Sequence, residues 1–129
     1  MNVLDENIPK DQADLLAAWK IRFRSLSRDL GAAGISDEDI LPLLLNLKRP
    51  TFLTRDEDFF VRDKLHAPYS LVWFDVATSE TAFYIRRFLR HPQFNTITKR
   101  LGKVIAIRPS AIQYWTKNSQ SPSQEDWVD

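Results

Sequence analysis

The stretch TFLTRDEDFF, residues 51–60, decides how this chain is read. Phe52 and Leu53 are large and apolar at successive positions, so in a strand they fall on opposite faces and both need cover. They predict a central strand, and it runs directly into Asp56, Glu57 and Asp58 before Phe59 and Phe60 close the segment. YSLVWFDV, residues 69–76, is apolar on both parities in the same way and predicts a second central strand.

Working outward, Asn2, Val3 and Leu4 read as a short strand that ends on Asp5 and Glu6. Pro9 suits the first turn of a helix to about Trp19, with Leu15, Leu16 and Trp19 on one face. KIRFRSLS, residues 20–27, alternates Ile21 and Phe23 with Arg22 and Arg24, the period of a half-buried strand. Gly31 and Gly34 mark a loop before the helical segment SDEDILPLLLNL, residues 36–47. Its start has two registers: a cap at Ser36 places Pro42 inside the helix, and a cap at Asp39 places it in the tolerated first turn. Ser79 and Glu80 open another helix carrying Ala82, Ile85 and Leu89 inward. Pro92 starts a further one, with Phe94, Ile97 and Leu101 on one face and Gly102 at its end. KVIAIR, residues 103–108, is a fifth strand. Strands alternating with helices predict an α/β, three-layer domain with right-handed crossovers and a mostly parallel central sheet of about five strands.

The chain has 129 residues, 43% hydrophobic and 12% aromatic, enough for one domain with a real core. We assign that domain to residues 1–116 and read 117–129, which is polar, as a disordered tail in which Trp127 has no evident role. The sequence has no apolar run long enough for a membrane helix and no basic-then-apolar leader, so a cytoplasmic location is expected. With no cysteine, disulfides, thiolate metal sites and a cysteine nucleophile are excluded. The net charge of +1 conceals an asymmetry: no acid lies between Glu80 and Glu125, where eight cations occur. Such segregation suits an anionic partner, although solvated helix faces produce the same pattern.

In parallel sheets, ligands bind beyond the carboxyl ends of the strands. Asp5 and Asp56 both leave strands at that edge, Asp58 follows two residues on, and Asp37 joins them if the loop before its helix folds over the edge. Carboxylates gathered without cations repel and raise one another's pKa, a penalty removed by Mg²⁺ or Mn²⁺, which take oxygen ligands. Such an ion lowers the pKa of a water and stabilises charge on a phosphate, which is phosphodiester hydrolysis. The plainer reading of the same residues is capping: Asp37, Glu38 and Asp39 suit a first helical turn, and Asp56 and Asp58 suit the start of a short helix at Phe59.

LDENIP, ISDEDIL and TFLTRDEDFF, in this order, resemble the short PIN-like proteins related to VapC-type toxin nucleases. The likeness spans residues 2–108. It implies metal-site and catalytic roles for Asp5, Asp37, Asp56 and Asp58, with Glu6 and Thr54 in support. It implies a Mg²⁺- or Mn²⁺-dependent ribonuclease, the toxin of a toxin–antitoxin pair, acting on RNA and neutralised by a small antitoxin protein; a homodimer is kept as an assembly state. Larger members carry a further helical Glu between the first two motifs, for which this chain has no obvious equivalent. That difference supports an alternative, a PIN-like RNA- or protein-binding regulatory module without turnover. A receiver-like domain with a phosphorylated Asp fits the strand-end acids but offers Arg108 where a lysine is expected.

For contacts with RNA or a protein partner, the candidates are Arg22, Arg24, Arg86, Arg87 and Arg90. Phe83, Phe88, Phe94 and Trp73 are expected in the core, and His66 and His91 lack metal-ligand spacing.

Overall fold

The computed structural model describes residues 1–128. Four helices and a single sheet build it: β1 (Asn2–Leu4), α1 (Lys10–Ala18), β2 (Arg24–Ser25), α2 (Asp37–Leu45), β3 (Thr51–Thr54), β4 (Ser70–Phe74), α3 (Thr81–Arg90), α4 (Ile97–Arg100), β5 (Val104–Ile107), β6 (Ile112–Trp115) and β7 (Ser123–Glu125). Single 3₁₀ turns at Glu57–Phe59, Arg62–Lys64 and Thr78–Glu80 fill the connections around β4. The sheet has seven strands in the order β2-β1-β3-β4-β5-β6-β7. The first five in that order are parallel, and β6 and β7 are antiparallel additions. The α/β class and the mostly parallel centre agree with the sequence, while the sheet is larger than the expected five strands.

Alternation along the central strands splits the core in two. Val3, Phe52, Leu71 and Val104 lie opposite one another in register and join Ile40 and Leu44 of α2. Their neighbours Leu4, Leu53, Val72 and Ile105 point the other way, against Ala13 and Leu16 of α1 and Ala82, Ile85 and Phe88 of α3. Helices thus cover both faces, α2 on one side and α1 with α3 on the other. Because β1 to β2 and β4 to β5 step toward opposite edges while α1 and α3 share a face, these two crossovers have opposite hands. The expectation of uniformly right-handed connections is not met.

Several local expectations are corrected. Pro9 caps α1 from outside, and the buried side is Gln12, Ala13 and Leu16, whereas Leu15 is 40% exposed. Gln12 earns its burial by accepting the Ala82 N–H at 2.8 Å, which ties α1 to the start of α3. Of residues 20–27 only Arg24 and Ser25 pair as a strand. The helix expected from Pro92 is confined to α4, capped by Thr96, and Phe94 is buried in the turn before it. Ser36 is the cap of α2, so Pro42 lies within the helix. Its missing N–H would have met the Glu38 carbonyl, on the exposed side of α2, where water can take the place of the lost partner.

The segment read as a disordered tail contributes β7, paired with β6, and then Trp127. The Trp127 indole N–H donates to the Arg108 carbonyl at 2.7 Å, and its ring packs beside Tyr84 and the buried His91. Asp129 lies outside the described residues.

Candidate metal centre

The parallel part of the sheet runs in the order 2-1-3-4-5, in which strand direction of travel reverses between β1 and β3. A crevice opens beyond the carboxyl ends of strands at such a reversal. Asp5 follows β1, and Asp56 follows β3 after Arg55. Packed on the face that β1 and β3 present through Val3 and Phe52, α2 begins with Asp37 at this same edge. Gly34, at φ +72°, belongs to the loop that leads there, and its N–H donates to the Glu6 carboxylate at 3.3 Å.

One hydroxyl organises the turn. Thr54 is fully buried; its Oγ1 donates to Asp5 Oδ2 at 2.7 Å and accepts the Asp56 N–H at 3.0 Å and the Asn7 amide at 3.2 Å. Asn7 Oδ1 in turn accepts the Arg55 N–H at 3.1 Å. Beyond it, the Asp56 carboxylate accepts the Asp58 N–H at 3.0 Å and caps the 3₁₀ turn at Glu57–Phe59. Phe59 is buried and meets Phe52 edge-on at 5.1 Å between ring centres, which anchors that turn to the core. Capping therefore occurs at Asp56, through one of its two oxygens.

Asp37, Asp56 and Asp58 each place a carboxylate oxygen within 4.8 Å of the others. Asp37 is exposed, and the carboxyl is still pushed above its ordinary pKa: partial removal from water is the largest cause, followed by the Asp56 charge and a hydrogen bond to Asp56, with Asp58 adding to it. Lys64 opposes this rise. It donates to the Asp58 carbonyl at 2.6 Å with its ammonium 4.7 Å from the Phe59 ring centre. Three carboxylates from two separate elements, with oxygens within 4.8 Å of one another, form a donor set suited to a hard divalent cation.

Asp5 stands apart from this group. It is 7% exposed, and its two oxygens are taken by Thr54 and by the Glu6 N–H at 2.8 Å. Burial pushes its pKa up, the two hydrogen bonds hold it down, and the charges of Asp37 and Glu6 add to the rise. The charge of Asp37 acting on it places it near the centre, while its hydrogen bond makes it the support of Thr54. Glu6, expected in support, holds the loop before Asp37 through Gly34.

The arginines singled out from sequence lie elsewhere. Arg22 and Arg24 line a cleft with Met1, Asn2 and Ala17, at the amino ends of the strands. Arg86, Arg87 and Arg90 lie on α3, across the sheet from α2. Arg86 stacks on Trp19 at 3.8 Å and Arg87 on Trp127 at 4.4 Å. Arg100 is buried, donating to Thr51 Oγ1 and the Phe94 carbonyl. Near the acids, Lys10 and Arg28 line a cleft with Asp5 and Glu6, and Lys64 acts on Asp37; sequence spacing singled out none of the three. Arg55 is held by the Val76 carbonyl and Thr81 Oγ1, both at 3.0 Å. Trp73, expected in the core, is only partly buried, beside Phe60 and under the Arg108 guanidinium.

No family model matches the chain, and neither the curated proteins nor the solved structures contain a match to it.

Proposed function

We propose that the chain is a metal-dependent ribonuclease of PIN-like type that hydrolyses RNA phosphodiesters. The observation that carries this reading is the convergence of Asp37, Asp56 and Asp58 at the strand reversal, within 4.8 Å of one another. Asp37, Asp56 and Asp58 would hold Mg²⁺ or Mn²⁺, with Asp5 behind them. When bound, such an ion supplies a water of lowered pKa and neutralises charge on the phosphate. The chain's own part is positioning: Thr54 fixes the backbone at Asp56, Asp56 fixes Asp58 through its cap, and α2 delivers Asp37 from the opposite side. The toxin role, with a small antitoxin as partner, is the biological setting we attach to this activity.

Purified protein is expected to bind Mn²⁺ in titration calorimetry and to cut RNA in its presence, and Asp56→Asn is expected to abolish both while the fold, read by circular dichroism, persists. Equal cutting by the variant removes the mechanism. A second reading, a binding module without turnover, is favoured by Lys64, whose charge stands close enough to the centre to oppose the rise at Asp37. Absence of Mn²⁺ binding by the intact protein selects it.

A further inference from the structure

Among the described residues, Arg100 is a buried cation with no anion beside it. Its side chain reaches from α4 to the amino end of β3 and is 5% exposed. Nε donates to Thr51 Oγ1 at 3.0 Å and Nη1 to the Phe94 carbonyl at 2.8 Å, both of them neutral acceptors. Burial pushes the guanidinium below its ordinary pKa, and no described carboxylate opposes the shift. Charges taken out of water are ordinarily paired, since desolvation works against them. Nη2 donates to no group of the described chain, yet it is not sealed: the one sealed side-chain atom without a partner among the described residues is Asn2 Oδ1. One corner of the buried guanidinium therefore opens to the surface.

A second cation shares that opening. Arg49, exposed just before β3, donates from Nη2 to Thr98 Oγ1 at 2.7 Å, two residues before Arg100 on the same helix. The Thr51 N–H donates to the Met1 carbonyl at 2.7 Å, which brings Met1 alongside. Its amino group is held below the ordinary pKa by partial burial and then by the charges of Arg100 and Arg49, so both guanidiniums lie near it. Thr98 accepts from Arg49 and keeps its own O–H as a donor. Among the described residues neither arginine makes an ion pair. Asp29 shares a cleft with Met1, but the Ser25 N–H and hydroxyl bind its carboxylate, and the cations that act on it are Arg24 and Arg28.

From these donors we infer that Arg49, Thr98 and Arg100 form a binding site for a phosphate dianion, carried by a small phosphomonoester or free in solution, at the end of the sheet opposite the acids. Paired guanidiniums call for two negative charges. A carboxylate or a phosphodiester carries one, whereas a phosphomonoester near pH 7 carries about two and offers three acceptor oxygens. Nη2 of Arg100, the remaining N–H groups of Arg49 and the Thr98 hydroxyl match those oxygens, and guanidinium bonds to phosphate are charge-assisted. The site involves no metal, and it stands or falls independently of the ribonuclease reading.

The test is titration calorimetry of the whole chain with inorganic phosphate and, separately, with glycerol phosphate, in EDTA and at an ionic strength held constant with chloride. Saturable binding is expected. Arg49→Ala is expected to weaken it about ten-fold, the loss of one charge-assisted contact. Arg100→Met, which keeps an apolar stem and removes the charge, is expected to abolish it, with the fold read by circular dichroism. Should that variant fail to fold, Arg49→Ala combined with Thr98→Val, both at exposed positions, carries the test alone. Arg90→Ala, on α3, is expected to leave binding unchanged. Tighter binding of glycerol phosphate supports a metabolite as the source, and tighter binding of inorganic phosphate supports the free ion. No binding of either by the parent, equal binding of acetate or dimethyl phosphate, or undiminished binding by Arg49→Ala would each overturn the inference. Mn²⁺ binding by Arg49→Ala is expected to match the parent, since the acids lie at the other end of the sheet.

Discussion

Thr54 is the residue through which the acidic edge is assembled. Thr54→Val keeps the shape of the side chain and removes three hydrogen bonds, leaving a buried Asp5 oxygen and the Asp56 N–H without their partner. Stability is expected to fall by about 1–3 kcal/mol in denaturant unfolding, the cost of buried groups left unpaired. Asp37 yields a pH prediction. Its pKa is raised on folding from the ordinary 3.8, so the folded chain binds that proton more tightly than the unfolded one. The resulting stability is fully present below the ordinary value and is lost as pH rises through the window up to the raised one. In chelator, Asp37→Asn should therefore gain melting temperature relative to the parent as pH climbs through that window. Added Mg²⁺ should raise the melting temperature of the parent and not of the variant, reversing the order. A constant difference across pH would show that the carboxylates do not act on one another.

At the scale of elements, β7 and Trp127 show what composition hides. Ser123, Gln124 and Glu125 carry no apolar alternation, because an outer strand with solvent beside it has no face to bury. The only sequence signal was the tryptophan itself, whose ring needs a site and whose N–H needs an acceptor. Trp127→Ala is expected to cost about 2–4 kcal/mol, with His91 and Tyr84 losing their cover. An unchanged unfolding midpoint would mean that the segment contributes nothing to the fold. The central strands were legible for the opposite reason: Phe52 and Leu53, or Leu71 and Val72, are apolar on both parities, and only a position covered on both faces suits them. Pro42 was read in two registers because its tolerance depends on which side of α2 meets water, a tertiary fact.

For the whole molecule, strand-ending acids and the loop-to-helix start at Asp37 were readable as candidates for one edge, since sheet order alone carries them there. Which oxygens remain available was not. Asp5 has the same place in its strand whether it faces a cation or a threonine, and only the register of β1 against β3 sets its carboxylate on Thr54. Where the arginines lie was illegible for a similar reason. Density of charge along the chain says nothing about which face or end of a sheet receives it, and α3 lies across the sheet from α2.

The sheet also ends in strands that offer little to a further one. Its two outer strands are short and polar, Arg24–Ser25 on one side and Ser123–Glu125 on the other. A strand from another chain would find few backbone groups to pair with and charged or hydroxylated side chains beside them. The apolar inner strands, each an aggregation hazard if exposed, are thus fenced at both margins, on one side by residues 123–125 of the segment that read as a disordered tail.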